Sequence, residues 1–136
     1  MLKATQPLAF LAMLTSDVTG SNHHIFFNDV KLNVGNAYNP SHGMFVAPYN
    51  GTYQLTVSIC SNNGHWITLE FHVNDQVYDK IYAGDATYED CCSKTIYVSL
   101  KQNDDVYLKH EKAGDYLRAF DLLGFPSFGG VFLFAE

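Results

Sequence analysis

Residues 33–59 read NVGNAYNPSHGMFVAPYNGTYQLTVSI. The first half is dense in Gly, Pro and Asn, a mixture that breaks helices and supplies turns. The second half then settles into a period of two. Tyr53, Leu55, Val57 and Ile59 share one face, and Thr52, Gln54, Thr56 and Ser58 share the other, which is the pattern of a half-buried strand. Residues 66–73, WITLEFHV, repeat it: Ile67, Leu69, Phe71 and Val73 alternate with Thr68, Glu70 and His72. Asn74-Asp75 follows as a hairpin turn. Further strand-like runs are QVYDKIYA, KTIYVSL, DVYLKHE, YLRAFDL and GGVFLFAE, separated by the turn-rich KQNDD and EKAGD. No segment has a sustained helical period. Roughly ten short strands at this spacing predict an all-β, antiparallel sandwich or barrel.

Composition narrows the function classes. The 136 residues are 47% hydrophobic and 15% aromatic, enough for one domain with a real core, expected over about residues 7–135. A net charge of −6 disfavours nucleic acid and anionic membrane as partners, because little would neutralise their phosphates. The apolar run in MLKATQPLAFLAML is too short to span a bilayer. It reads as a first strand, with any leader expected to have been removed upstream. Cys60, Cys91 and Cys92 form no metal-type CxxC pair. A strand turns Cys91 and Cys92 to opposite faces, so a bridge from Cys60 to one of them and a set of free thiols are both open.

The spacing of the opening stretch resembles the signature of the C1q globular-head family within the C1q/TNF-like group. Phe27, Asn33, Tyr38, Phe45, Gly51 and Tyr53 fall on the signature positions, while Leu55 and Val57 replace its two remaining aromatics with apolar residues. LAFLAMLT, VSLKQNDDVYLK and SFGGVFLF resemble the family's opening strand, a strand-turn-strand and the closing strand. The resemblance implies a ten-stranded antiparallel jelly-roll sandwich and a secreted homotrimer. It also implies recognition of carbohydrate or microbial surface molecules in innate immunity, in some members with calcium. The alternative it leaves is a TNF-like signalling or extracellular-matrix trimer with a protein partner. No Gly-X-Y repeat is present, so the heads themselves would hold any trimer; this short form resembles invertebrate, head-only members. Within the sandwich, the signature aromatics are expected in the core. Asn50-Gly51 is expected to form a tight turn with Gly51 at positive φ.

Two loops carry the candidate ligand residues. In YAGDATYEDCC, Asp85, Glu89 and Asp90 stand near Tyr82 and Tyr88. Calcium takes such oxygen ligands, and the resemblance favours Asp90, then Asp85; a solvated acidic loop is the plainer reading. In HEKAGDYLRAF, Tyr116 is suited to stack on a sugar ring, and Asp115 and Arg118 to bond hydroxyls or a sugar acid. The competing reading of Arg118 is a strand residue facing water or a trimer seam. The six histidines, including the adjacent His23 and His24, and His42, His65, His72 and His110, are expected in loops and on outward strand positions without converging on zinc. Trp66 has outward parity. Asn50-Gly51-Thr52 is a glycosylation sequon in a turn. No nucleophile, metalloprotease or phosphate-loop motif occurs, so the expected class is a binding protein, not an enzyme.

Overall fold

The computed structural model describes residues 6–20, 23–110, 114–120 and 124–136, and all regular structure in them is strand. In chain order these are β1 (Ala9–Met13), β2 (Val18–Thr19), β3 (His23–His24), β4 (Asp29–Val34), β5 (Tyr38–Asn39), β6 (Met44–Val46) and β7 (Gly51–Cys60). Then come β8 (Trp66–Val73), β9 (Gln76–Gly84), β10 (Cys91–Leu100), β11 (Asp105–His110), β12 (Tyr116–Leu117) and β13 (Ser127–Ala135). One sheet has the order β10-β7-β13-β1-β4. The other runs β5-β6-β11-β8-β9, with β3 added against β11, and β2 pairs β12 apart from both. Five strands therefore lie on each path, and every described pairing is antiparallel.

Alternation decides which face of each strand meets the other sheet. Tyr53, Leu55, Val57 and Ile59 of β7 are all buried, and so are Ile67, Leu69 and Phe71 of β8. Phe10 is the hub between the layers. Its ring stacks on Tyr38 at 5.2 Å and on Phe45 at 5.0 Å, and meets Phe128 edge-on at 5.0 Å. The signature aromatics Phe27, Tyr38, Phe45 and Tyr53 are all buried. Tyr38 Oη donates to the Phe27 carbonyl at 2.6 Å, and burial holds that phenol well above its usual pKa despite the bond. Asn33 braces the turn before it. Its amide donates to the Tyr38 carbonyl at 2.9 Å and accepts from the Tyr38 N–H at 3.2 Å. A side-chain amide in this place satisfies two backbone groups where β4 ends.

Three expectations change and one open question closes. Gly51 opens β7 and lies outside the positive-φ glycines; a Cβ there would collide with the Phe134 carbonyl and the Phe132 ring. Close approach, not turn geometry, requires the glycine. The strand read across YLRAFDL shrinks to Tyr116–Leu117 among the described residues, and its residues 121 and 122 lie outside them. His72 and His110, expected at the surface, are both buried. His110 has the inward parity of Val106 and Leu108, and His72 lies under the Tyr107 ring at 5.0 Å, which His24 covers at 4.5 Å. The cysteine question closes on Cys60–Cys91, which are directly opposed in the β7–β10 ladder and joined by a disulfide, while Cys92 stays free. The Asn74-Asp75 hairpin forms as expected, with both residues in the left-handed region at φ 49 and 66.

Candidate functional site

At the end of the sandwich where β7 passes to β8, three loops are drawn together by backbone bonds. Gly64 N donates to the Asp85 carbonyl at 3.2 Å, and Asp115 N donates to the Trp66 carbonyl at 2.9 Å. Gly114 lies against that carbonyl with φ 89, where a Cβ would overlap the Trp66 backbone. Gly84 is the ladder partner of Trp66, and a Cβ there would strike the Trp66 side chain. Two glycines thus make room for the backbone and Cβ of Trp66.

The result is an aromatic ledge. Trp66 and Tyr82 are 47% and 55% exposed, with ring centres 5.9 Å apart. They line an open cavity of about 350 Å³ together with Gly64, His65, Asp85 and Ala86. His65 Nδ1 lies 2.9 Å from Asp115 Oδ1, and its ring is 5.2 Å from Tyr116. Asp85 keeps its charge readily: the Thr87 N–H, the Thr87 hydroxyl and the Tyr88 N–H all reach its Oδ2 and hold its pKa below the usual carboxylate value. Apolar ring faces beside a few fixed polar groups are the makings of a small-molecule site.

The sequence-derived candidates divide on this geometry. Tyr82 and Asp85 line the cavity, and Asp115 joins it through His65. Tyr88 stands out in solvent at 71% exposure. Tyr116 and Arg118 are engaged within the chain. Tyr116 Oη donates to Asp17 Oδ2 at 2.9 Å, Arg118 Nη1 reaches the same oxygen at 3.1 Å, and Ala119 N donates to Asp17 Oδ1 at 2.6 Å. The Arg118 guanidinium also sits 4.5 Å over the Phe120 ring. Arg118 therefore has a place of its own, neither the free ligand contact nor the outward strand position that its sequence context suggested. Asp90 is structural: its Oδ2 accepts Gly84 N at 2.9 Å, and its backbone exchanges bonds with Ser61. Asp85 and Asp90 thus direct carboxylate oxygens at backbone N–H groups. Among the described residues no group of three or more His, Cys, Asp or Glu gathers around a common point. Asn50 lies exposed at the other end of β7.

Sequence reasoning left three contributors unassigned. Trp66 had outward parity as its signal. His65 and Asp17 had none, since each matters only through a residue distant in the chain.

Known proteins agree with this architecture. The C1q domain family model matches residues 9–131. The chain is 34% identical over 112 residues to the heavy metal-binding protein HIP of Mytilus edulis, covering 79% of this chain and 52% of that one. It is 26% identical over 132 residues to complement C1q tumor necrosis factor-related protein 3 of Mus musculus, covering 93% and 51%. The chain thus spans about half the length of these curated relatives. The globular domain of the zebrafish complement 1qA protein superposes with a TM-score of 0.72 at 14% identity, over 97% of this chain and all of that one. Eiger TNF from S. frugiperda gives 0.69 at 14%, over 96% and 94%. With the family match spanning nearly the whole sequence and the strands in the C1q/TNF jelly-roll arrangement, the chain belongs to the C1q domain family, a family of binding domains and not of enzymes.

Proposed function

We propose that this protein is a secreted, homotrimeric recognition module that binds carbohydrate, including sugars of microbial surfaces, at the Trp66–Tyr82 ledge. The ledge carries the reading. A pyranose presents apolar C–H faces that stack on indole and phenol rings, and hydroxyls that bond to His65 and the ionised Asp85. An open cavity of this size holds one or two sugar units weakly. Three copies in a trimer would turn weak sites into useful avidity.

The outer face of the β10-β7-β13-β1-β4 sheet supports the trimer. Thr56 bonds Thr95 there at 2.9 Å and Ser58 bonds Ser93 at 2.6 Å, beside exposed Leu32, Val34, Leu133 and Tyr97. Charged side chains are scarce on this face, which suits contact with another copy of itself. Secretion is supported by the Cys60–Cys91 disulfide, a bond that persists in oxidising compartments. Among the described residues, no helix is long and apolar enough to cross a membrane.

A glycan array of the folded protein, probed with calcium and again in EDTA, tests the reading. Binding to defined sugars that is lost in Trp66→Ala and Tyr82→Ala, with the fold retained by circular dichroism, is the expected result. Loss of the wild-type profile in EDTA would assign calcium to binding, with Asp85 and Asp90 the first residues to substitute. A blank array from a trimer verified by ultracentrifugation would overturn the carbohydrate reading in favour of a protein partner of the signalling or matrix type.

A further inference from the structure

Asn50-Gly51-Thr52 is the sole Asn-x-Ser/Thr triplet in the sequence with a permitted middle residue, since Asn39-Pro40-Ser41 is disqualified by its proline. In the fold, Asn50 is exposed in the bend leading into β7. Its two side-chain atoms are treated differently. Oδ1 accepts the Gln102 N–H at 2.7 Å, while Nδ2 makes no hydrogen bond among the described residues. N-glycosylation uses Nδ2 and leaves Oδ1 in place, so the folded chain already holds the side chain in the form a glycan requires. We propose that Asn50 is an N-glycosylation site, and that the native protein carries its glycan at the end of the sandwich opposite the aromatic ledge.

The chemistry balances with a polyprenyl-pyrophosphate oligosaccharide as donor. Nδ2 loses a proton and forms a bond to the anomeric carbon of the first sugar. The bond from that carbon to the pyrophosphate oxygen breaks, and the lipid pyrophosphate leaves with the electron pair. Nothing in the fold is given up. The Gln102 bond is kept, and the Asn50 carbonyl still accepts from Glu136 N at 3.1 Å. Position matters as much as chemistry. β7 runs from Gly51, within the sequon, to Cys60, beyond which the loop bearing His65 leads to Trp66 at the start of β8, and ten strand residues at about 3.3 Å each put roughly 30 Å between the two ends. A glycan on Asn50 therefore leaves the ledge open.

The inference rests on passage through a secretory compartment, so the experiment imposes that passage. The chain is translated behind a cleavable heterologous signal peptide into microsomes that carry oligosaccharyltransferase, which needs neither export nor sugar binding by the protein itself. One discrete mass step is expected. Peptide-N-glycosidase should remove it and leave aspartate at position 50 by peptide mass spectrometry. Asn50→Gln and Thr52→Ala should lack the step, and Thr52→Ser should keep it, which separates loss of the acceptor from misfolding. Translocated wild-type chain with unmodified Asn50 would overturn the proposal while leaving the recognition reading intact. A glycosylated chain that fails on the glycan array would sink the recognition reading and not this one.

Discussion

Two aspartates illustrate how differently the same carboxylate behaves once its neighbours are set. Burial raises the pKa of Asp17, but the Ala119 N–H, the Tyr116 hydroxyl and the Arg118 guanidinium outweigh it, and the net pKa is lowered. A lowered folded-state pKa means stability present above the ordinary carboxylate value and lost as pH falls through the folded one. Asp17→Asn should therefore lower the unfolding free energy read from urea titrations at pH 7 by about 1–3 kcal/mol for lost charge-assisted bonds, and the difference from wild type should close in strong acid. Asp105 is the reverse case. Burial first, then the neighbouring Asp75 and Asp104 charges, raise its pKa against the Asn74 bond, and its Oδ1 is buried without a hydrogen-bond partner among the described residues. A raised carboxylate contributes most when protonated and progressively less as pH rises through the folded value. Asp105→Asn is expected to raise the midpoint at pH 7 and to lose that advantage as pH falls; a variant less stable than wild type at pH 7 would contradict this account.

The long strand β7 is the element on which the fold turns. It pairs with β10 along its entire length and with β13 on its other edge, so a fault in it reaches both neighbours. Gly51→Ala should cost about 1–3 kcal/mol, the range for overpacking, because a methyl group there meets the Phe134 carbonyl and the Phe132 ring. Thermal melts of the variant and wild type read this directly. The other end of β7 is stapled to β10. Its disulfide encloses a separation of 31 residues, and in the chain-entropy picture such a loop restricts the unfolded state by about 3–4 kcal/mol. Replacing both Cys60 and Cys91 by Ser should lower stability by that order. Cys92→Ser should leave the Cys60–Cys91 bridge intact, the bridged peptide pair becoming lighter only by the sulfur-to-oxygen exchange at residue 92.

For the whole molecule, assembly is the property to test. Leu32 lies at 45% exposure on the outer sheet face proposed for self-association. Leu32→Glu places a charge there without touching the buried layer. Sedimentation should shift from trimer to monomer while circular dichroism keeps its strand signature. A trimer unaffected by Leu32→Glu would move the interface to another face. Because the ledge lies at the β7–β8 loop end and not on this face, the monomer should keep single-site sugar binding and lose avidity.

The all-β class, the Asn74-Asp75 hairpin and the burial of Phe27, Tyr38, Phe45 and Tyr53 could all be read from residue order. They rest on local rules: two-residue alternation, left-handed turn residues, and the size of aromatic side chains. The same rules placed Trp66 outward. Where they failed, a distant segment intervened. Gly51 is held by the C-terminal strand, not by its own turn, and His72 is covered by Tyr107, on which His24 stacks in turn. Cys60 chose Cys91 over Cys92 because the β7–β10 register opposes that pair. The ledge itself joins residues 64–66, 82–86 and 114–116, and Asp17 captures Arg118 from the far end of the chain. Alternation tells each residue which face it occupies. Only the pairing of strands, a long-range event, decides which other residues occupy that face beside it.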